Sequence, residues 1–463
     1  MSAGLPERVD VAIIGAGMAG LAAARALEGR SILVFEAETR AGGRLLSEPR
    51  GEYWLNFGAH MFGGPESGVG RLLTETGTEA RPILGRLMGM AYGGRRLLDT
   101  PAEFYPFLLP LTPSERLAFI RMGLKLRLGS DRVARQMRSQ PGESESERTA
   151  RLIGIENGRT LAAYLGALPP RIRALLAAIT ERNGADPDEM AAGHGLRSFG
   201  NVWSRHAPGR HVLGGSALLP QRLAARLGDR LRLGVTVTGV TQAPDGVVID
   251  YRDSTGAPGR VRARAAIVAT PAFVSRRIVK DLPTPVAEGL DAIRYGAFVT
   301  AGVLTTETAP MPWDGVYATA TPDRSFSVMF NMATSLREGP RRPGGSLMLF
   351  RGARGAQGLL DQPEAEIERR FGQDLVAAFP ELRGRIAEIT VQKWAAGAPY
   401  AAPGRARHQS ALTTPFGRVA LAGDYLEFPN MEAAIASGEA AAGAVTRLLD
   451  IPAGGQAPAQ ERG

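Results

Sequence analysis

A strand, a glycine turn, a helix and a second strand fill the first 45 residues of this chain. No other segment restricts its fold as much. Val11–Ile14 is a short apolar run with the composition of a buried strand. Gly15-Ala-Gly-Met-Ala-Gly20 follows at once, and Leu21–Leu27 is an alanine-rich helical stretch. Ser31–Phe35 is a second apolar run that ends at Glu36 and Ala37. In such a unit Gly15 permits the tight turn, Gly17 lets a pyrophosphate approach the backbone, and Gly20 lets the helix pack close to the strand. The helix N-terminus offers free N–H groups and a positive dipole end to the phosphates, and Met18 in the turn before it is a further cofactor-binding candidate. Glu36 stands where a carboxylate can accept from ribose hydroxyls. The segment predicts a dinucleotide-binding βαβ unit and an α/β fold.

Composition narrows the chemistry. The chain has 463 residues, enough for two or three domains, and 44% are hydrophobic against 22% charged, as in folded globular proteins. It has no cysteine, which excludes disulfides, cysteine-held metals, cysteine nucleophiles and cysteinyl cofactor links. The net charge of +9 is carried almost wholly by arginine; the lysines are Lys125, Lys280 and Lys393. No basic block tracks phosphate, so nucleic acid is not an expected partner. The histidines (His60, His194, His206, His211, His408) lack zinc spacing, and no metal site is expected. Met1–Asp10 has no apolar signal-like core, and no apolar run is long enough to span a bilayer. A cytoplasmic location is therefore expected.

Further along, residues 86–200 carry helical patterns, including one over Arg159–Thr180, and Gln140–Glu147 is a polar, acidic loop expected to be mobile. His211-Val-Leu-Gly-Gly-Ser216 precedes a helix over Leu218–Leu227. Strands are predicted over Leu231–Val240, Gly246–Tyr251, Arg262–Thr270, 297–304, 325–331 and 346–351. Val419-Ala-Leu-Ala-Gly-Asp-Tyr425 is a strand ending in Gly423-Asp424, and a helix begins at Met431 with Asn430 as a good N-cap and Glu432 in its first turn. Residues 451–463 form a tail expected to be disordered.

Two segments carry a resemblance. Glu38-Thr-Arg-Ala-Gly-Gly43-Arg44 after the ribose acid, and Gly423-Asp424 followed by the Met431 helix, are similar to motifs of the flavin-containing amine oxidase and carotene desaturase superfamily. The resemblance runs from Val11 to Leu448. It implies an FAD-binding, doubly wound Rossmann-like domain (1–85, 210–285 and 395–450) interleaved with a mixed α+β substrate domain (86–209 and 286–394). It implies non-covalent FAD, with Gly43 against the cofactor, Arg44 near its phosphates, and Gly423 and Asp424 at phosphate and ribose. Met431 and Ala434 would lie at the flavin pyrimidine, Gly58 and Ala59 close to the flavin ring, and Val237 would add a further contact.

Five positions bear on the substrate. Asn56-Phe-Gly-Ala-His60 resembles a segment of carotene desaturases, so His60 is a substrate-facing candidate; a core histidine satisfied by a carbonyl is the alternative. Thr300 stands where amine oxidases commonly carry a lysine. Asn430 stands where they commonly carry an aromatic-cage tyrosine. Trp394 and Tyr400 could each supply an aromatic wall, or simply pack. These departures favour hydride transfer from a C–H bond of a hydrophobic small molecule to flavin N5, in the manner of a desaturase or dehydrogenase. Oxygen, a quinone or another carrier would reoxidise the flavin. A flavin amine or amino-acid oxidase is the first alternative, and a non-redox FAD isomerase or mutase the second. Residues 104–128 are apolar and basic together, so they could contact the inner face of a membrane or pack as an ordinary helix. The oligomeric state stays open.

Overall fold

In the computed structural model, which describes residues 6–138, 140–200, 202 and 209–450, the glycine turn lies at the centre of a seven-stranded sheet. Strand Arg8–Ile14 runs between Ile32–Phe35 and Pro258–Val268, parallel to both. Leu231–Arg232 and Val419–Leu421 extend the parallel set on either side, and Thr236–Ala243 and Gly246–Arg252 continue it as an antiparallel meander. The central strands are apolar on both faces because both faces are covered. Ile14 is in register with both Phe35 and Val268, so the glycine turn and Glu36 emerge together at the carboxyl edge. In open α/β sheets that edge is where ligands bind.

One face of this sheet carries helix Met18–Ala26, crossed by the C-terminal helix Met431–Asp450. The crossing is close: a Cβ on Gly438 would collide with the Ala19 carbonyl oxygen. The last helix is thereby held against the phosphate-loop helix of the first motif.

A second seven-stranded sheet is mixed. Its order is Ile386–Tyr400, Arg294–Thr305, Gly345–Gly352, Val328–Asn331, Val316–Ala320, Arg86–Tyr92 and Arg95–Leu97, antiparallel except between Val316–Ala320 and Arg86–Tyr92. Helices Pro113–Gln136, Leu161–Leu165, Pro170–Thr180 and Ala192–Arg197 pack beside it around Leu126, Leu161, Ile172 and Leu176.

Several local expectations need correction. Residues 86–200 are not helical throughout, since Arg86–Tyr92 and Arg95–Leu97 are strands of the second sheet. The helical pattern over Arg159–Thr180 splits at Gly166, whose φ is +85°, and at Pro169-Pro170. The strand expected over Leu231–Val240 breaks at Gly234, with φ +68°. Val419–Tyr425 is strand only to Leu421, then a 3-10 turn over Asp424–Leu426. The acidic loop ends early: Ser144 and Glu147 form a capping box that starts helix Glu145–Gly154. The tail 451–463 lies outside the described residues.

Candidate functional site

The three motif glycines have different structural reasons. Gly15 has φ +101°, and its Cβ would stand 2.8 Å from the Ala269 carbonyl oxygen. A Cβ on Gly20 would strike the Gly15 carbonyl oxygen. A Cβ on Gly17 would meet nothing within 4 Å. The fold itself thus demands Gly15 and Gly20, while the space over Gly17 is open. Gly17 is also the helix N-cap and has no side chain to close the first turn, so amides there are free to bind an anion.

Glu36 sits at the end of the second strand, and its carboxylate accepts from Ala16 N at 2.7 Å and Glu38 N at 3.0 Å. It is only part-buried, and Ala37 beside it is exposed. The Gly42-Gly43 turn packs on the glycine loop: Gly42 N donates to Ala16 O at 2.8 Å, and Gly43, exposed, would carry a Cβ 3.5 Å from Gly17 Cα. Ala59 N donates to Arg44 O at 3.1 Å, and Gly58 leaves no room for a Cβ against that same oxygen. These contacts join Glu36, Gly17, Gly43 and Ala59 in one trough-like row, and none of the four is buried. At its middle Arg44 donates to Gly397 O at 3.2 Å and to Asp424 at 2.6 Å. Arg44 stays 37% accessible while Asp424 is buried. Gly423 adopts φ +152° and donates its N–H to Ser437 Oγ at 2.9 Å, anchoring the turn that presents Asp424. Met431 is buried beneath the start of the last helix, Ala434 is partly exposed, and Val237 is buried in the meander beside a register shift. Such a trough, with open amides, a carboxylate at one end and a guanidinium at its middle, fits an extended dinucleotide.

Beyond Ala59 the wall becomes aromatic. His60 Nδ1 lies 2.8 Å from Gly58 O, and Nε2 lies 2.7 Å from the Tyr317 hydroxyl. A carbonyl can only accept, so Nδ1 carries the proton and the Tyr317 O–H donates to Nε2. Burial pushes the His60 pKa down to about 4, so the ring is neutral at pH 7. Phe330 and His211 lie 5.0 and 5.9 Å from the His60 ring, centre to centre. His211 is buried, and neither of its ring nitrogens has a hydrogen-bond partner of good geometry. The carbonyl predicted as His60's alternative partner and a tyrosine facing the site are therefore both present.

The other candidates divide. The Thr300 hydroxyl and the Trp394 indole N–H both donate to Phe57 O, each at 2.9 Å. Thr300 is buried, Trp394 half-buried. They hold the segment that leads to His60. Tyr400, half-buried, lines a cleft with His194, Arg405, Asp424, Phe428 and Pro429. Asn430 is exposed, and its side-chain oxygen accepts from Ala433 N at 2.7 Å, which makes it the helix cap. Glu432 accepts from Gly68 N and Val69 N at 2.9 and 3.1 Å, across the fold. Sequence reasoning missed Tyr317 and Phe330, which lie on strands paired only in three dimensions. Among the described residues no group of His, Asp and Glu is placed to hold a metal ion, and no helix is long and apolar enough to cross a membrane.

The fold and trough define a dinucleotide-binding protein of two interleaved sheets. Residues 18–446 match the flavin containing amine oxidoreductase family, and the chain belongs to that family, with FAD as its cofactor. It is 28% identical over 301 residues to a putrescine oxidase of Kocuria rosea, covering 60% of this chain and 59% of that protein. It is 25% identical over 311 residues to an L-amino acid dehydrogenase of Synechocystis, again covering 60% and 59%. The match thus spans about three fifths of these relatives' length. A cyclohexylamine oxidase of Brevibacterium oxydans shares the fold, with a TM-score of 0.74 at 24% identity, covering 96% of this chain and 100% of that one.

Two expected outcomes follow from the geometry. Gly17→Val should unfold at the temperature of the unmodified apoprotein yet purify without FAD, because its side chain enters open space needed by phosphate. Gly20→Val should lose stability itself, by roughly 1–3 kcal/mol or more, because it overpacks against backbone. Glu36→Ala should retain part of its FAD, since it removes hydrogen bonds worth about 1.5–3 kcal/mol. Flavin absorbance per protein and apoprotein melting distinguish the three; equal FAD occupancy in all of them contradicts the assignment. The second outcome concerns acid. Burial lowers His60 to about 4, and His194 and His211 to about 3, from 6.5. The unfolded chain therefore binds more protons between those values. Stability should fall as pH drops from 6.5 toward 4, by about 1.4 kcal/mol per ring per pH unit. Denaturant titrations across that range measure the slope, and a flat profile rejects neutral burial.

Proposed function

We propose that the chain catalyses FAD-dependent removal of hydride from a C–H bond of a hydrophobic small molecule, in the manner of a desaturase or dehydrogenase. The observation that supports this reading most is the wall beyond Ala59: neutral His60, Tyr317, Phe330 and His211, with Thr300 buried and turned to a backbone carbonyl. No lysine stands at position 300, and Asn430 offers no aromatic face. FAD, when bound, supplies the two-electron acceptor. The chain's own residues then need to orient and desolvate the substrate rather than supply a strong base. The substrate loses a hydride and a proton and gains a double bond; oxygen, a quinone or another carrier takes the electrons in turn. Trp394 and Thr300 act as positioning residues through Phe57, which fixes Gly58, Ala59 and His60. In this reading residues 1–85, 210–285 and 395–450 hold the cofactor and 86–209 with 286–394 hold the substrate.

Amine oxidation is the second reading, supported by the putrescine oxidase and L-amino acid dehydrogenase relatives. Anaerobic mixing with an amine panel and an apolar panel, followed at the flavin band, separates the two. Conjugated or cyclic apolar compounds should bleach the flavin, and primary amines should not. Rapid bleaching by an ordinary amine, with peroxide release in air, would falsify the first reading in favour of the second.

A lipophilic substrate also suits the surface of residues 104–128. Phe104, Phe107, Leu117, Leu124 and Leu128 are 48–66% exposed there. On helix Pro113–Gln136 the three leucines share the outer face, with exposed Arg121, Lys125 and Arg127 around them. An apolar ridge flanked by cations is the pattern of a helix lying in an anionic lipid interface. The holoprotein should sediment with vesicles containing phosphatidylglycerol and not with purely zwitterionic ones. Leu124→Glu with Leu128→Glu should abolish sedimentation without loss of FAD. Equal recovery of both proteins in the supernatant rejects the surface.

A further inference from the structure

The cleft beside the Arg44–Asp424 contact holds a buried cation without an acid. Tyr400, His194, Arg405, Asp424, Glu427 and Phe428 line it. It is narrow and half-open, with room for a group about the size of one water molecule. Arg405 begins the 3-10 turn Arg405–His408 and is 3% exposed. Its Nη2 donates to Tyr425 O at 3.3 Å, while its Nη1 is buried with no hydrogen-bond partner. Asn157 anchors the chain on both sides of this arginine: its side chain accepts from Ala406 N at 2.9 Å and donates to Ala402 O at 3.3 Å.

The acids of the cleft are engaged elsewhere. Asp424 binds Arg44 at 2.6 Å, and Glu427 lies 2.8 Å from Arg197 and 3.6 Å from Arg148. The guanidiniums of Arg44, Arg148, Arg197 and Arg405 thus outnumber the carboxylates of Asp424 and Glu427, and the surplus charge is positive. His194 adds no charge and no free nitrogen. Its Nε2 lies 3.3 Å from Asn183 O, Ala401 N lies 3.5 Å from its Nδ1, and burial lowers its pKa to about 3. Its ring lies 4.9 Å from that of Phe428, centre to centre, so this part of the lining is apolar. A buried guanidinium nitrogen without an acceptor is costly, and an anion in the cleft would supply one. The planar donor set of arginine matches a carboxylate.

We propose that Arg405 and its cleft form a binding site for a small carboxylate, with the oxyanion head at the guanidinium and the apolar end toward Phe428 and Tyr400. A planar carboxylate enters so narrow a cleft more readily than a tetrahedral phosphate. The site adjoins the cofactor trough at Asp424 and does not depend on reading the His60 wall as the substrate site. Because the same guanidinium grips Tyr425 O, an occupant also holds the turn that presents Asp424. No bond is made or broken at Arg405.

Acetate and acetamide, alike in shape and unlike in charge, test the site by saturation-transfer NMR on their methyl protons, with the FAD-loaded protein at matched ionic strength. Acetate should show saturable transfer and bind roughly tenfold or more tightly than acetamide. Arg405→Gln should weaken acetate by a similar factor and leave acetamide unchanged. Arg405→Lys keeps the charge without the planar fork, should lie between, and carries the test if the glutamine variant fails to fold or loses FAD. Acetate no tighter than acetamide, or acetate binding unchanged in the variants, overturns the site. Acetate binding that is present in the apoprotein and vanishes on FAD addition gives the guanidinium to a cofactor phosphate and overturns it too. The amine and apolar panels judge the aromatic wall separately, so failure of acetate removes the carboxylate site and leaves that reading standing.

Discussion

The contact between Arg44 and Asp424 joins the first and last motifs of the chain beside the proposed cofactor trough. Its partners belong to the first and last motifs, 380 residues apart, and stand 2.6 Å from each other. Asp424 is buried and Arg44 partly open, so the carboxylate depends on the guanidinium more than the reverse. Removing Arg44 leaves a buried, unpaired charge, the costly way to break such a pair. Removing Asp424 leaves a cation that can still reach solvent, and screening reduces that cost. The pair can form only because other contacts bring the motifs together. The Gly42 amide binds Ala16 O, the Ala59 amide binds Arg44 O, and Gly438 lets the last helix touch Ala19. Each is a backbone contact, insensitive to side-chain choice except where glycine is required.

The two sheets meet at the segment from Phe57 to His60. Phe57 O accepts from Thr300 and Trp394, both strand residues of the second sheet, while Gly58 O accepts from His60 and from Asn56 Nδ2 at 2.8 Å. Ala59 N is held by the first sheet's Arg44 loop. A short stretch of backbone is thus clamped from both sides, and the His60 ring is carried with it. This explains why neutral His60 has a fixed tautomer: its orientation is set by the Gly58 carbonyl, and the Tyr317 hydroxyl supplies the matching donor.

The cofactor trough was legible because its signals are local. A glycine spacing between two apolar runs, an acid at the second strand's end and a Gly-Asp before a helix are each decided within a few residues, and the structure places them at one edge. The wall proposed for the substrate was not, because it is assembled across strands. Tyr317 and Phe330 lie on neighbouring strands of short, wholly apolar pattern, and pattern alone does not say which side chain faces a ligand. Helix boundaries failed where backbone geometry overrode periodicity: Gly166 and Pro169-Pro170 interrupt an apolar spacing that looks continuous over Arg159–Thr180. Asn430 was legible twice over, as a cap and as a cage substitute, and its bond to Ala433 N accounts for the first use.

Buried polar atoms without a partner occur in several parts of the fold: His211 lies beside His60, and Arg405, Gln409 and Tyr425 lie near the last motif. The two faces of the N-terminal sheet are covered mainly by Val, Ile, Leu and Ala. Beside His60 lie a histidine with no well-formed hydrogen bond at either nitrogen and a phenol whose proton is committed to the His60 imidazole. The unpartnered histidine raises the energy of the protein alone, since a buried polar group without its partner forfeits solvation. Chains tolerate such terms where a ligand supplies what the fold withholds, and they are otherwise removed at little cost to packing. The His211 ring lies 5.6 Å from Tyr317 and 5.9 Å from His60, centre to centre, within the same aromatic surface. A ligand with an apolar body and one polar atom within reach of His211 would answer the aromatic lining and the unpartnered imidazole together.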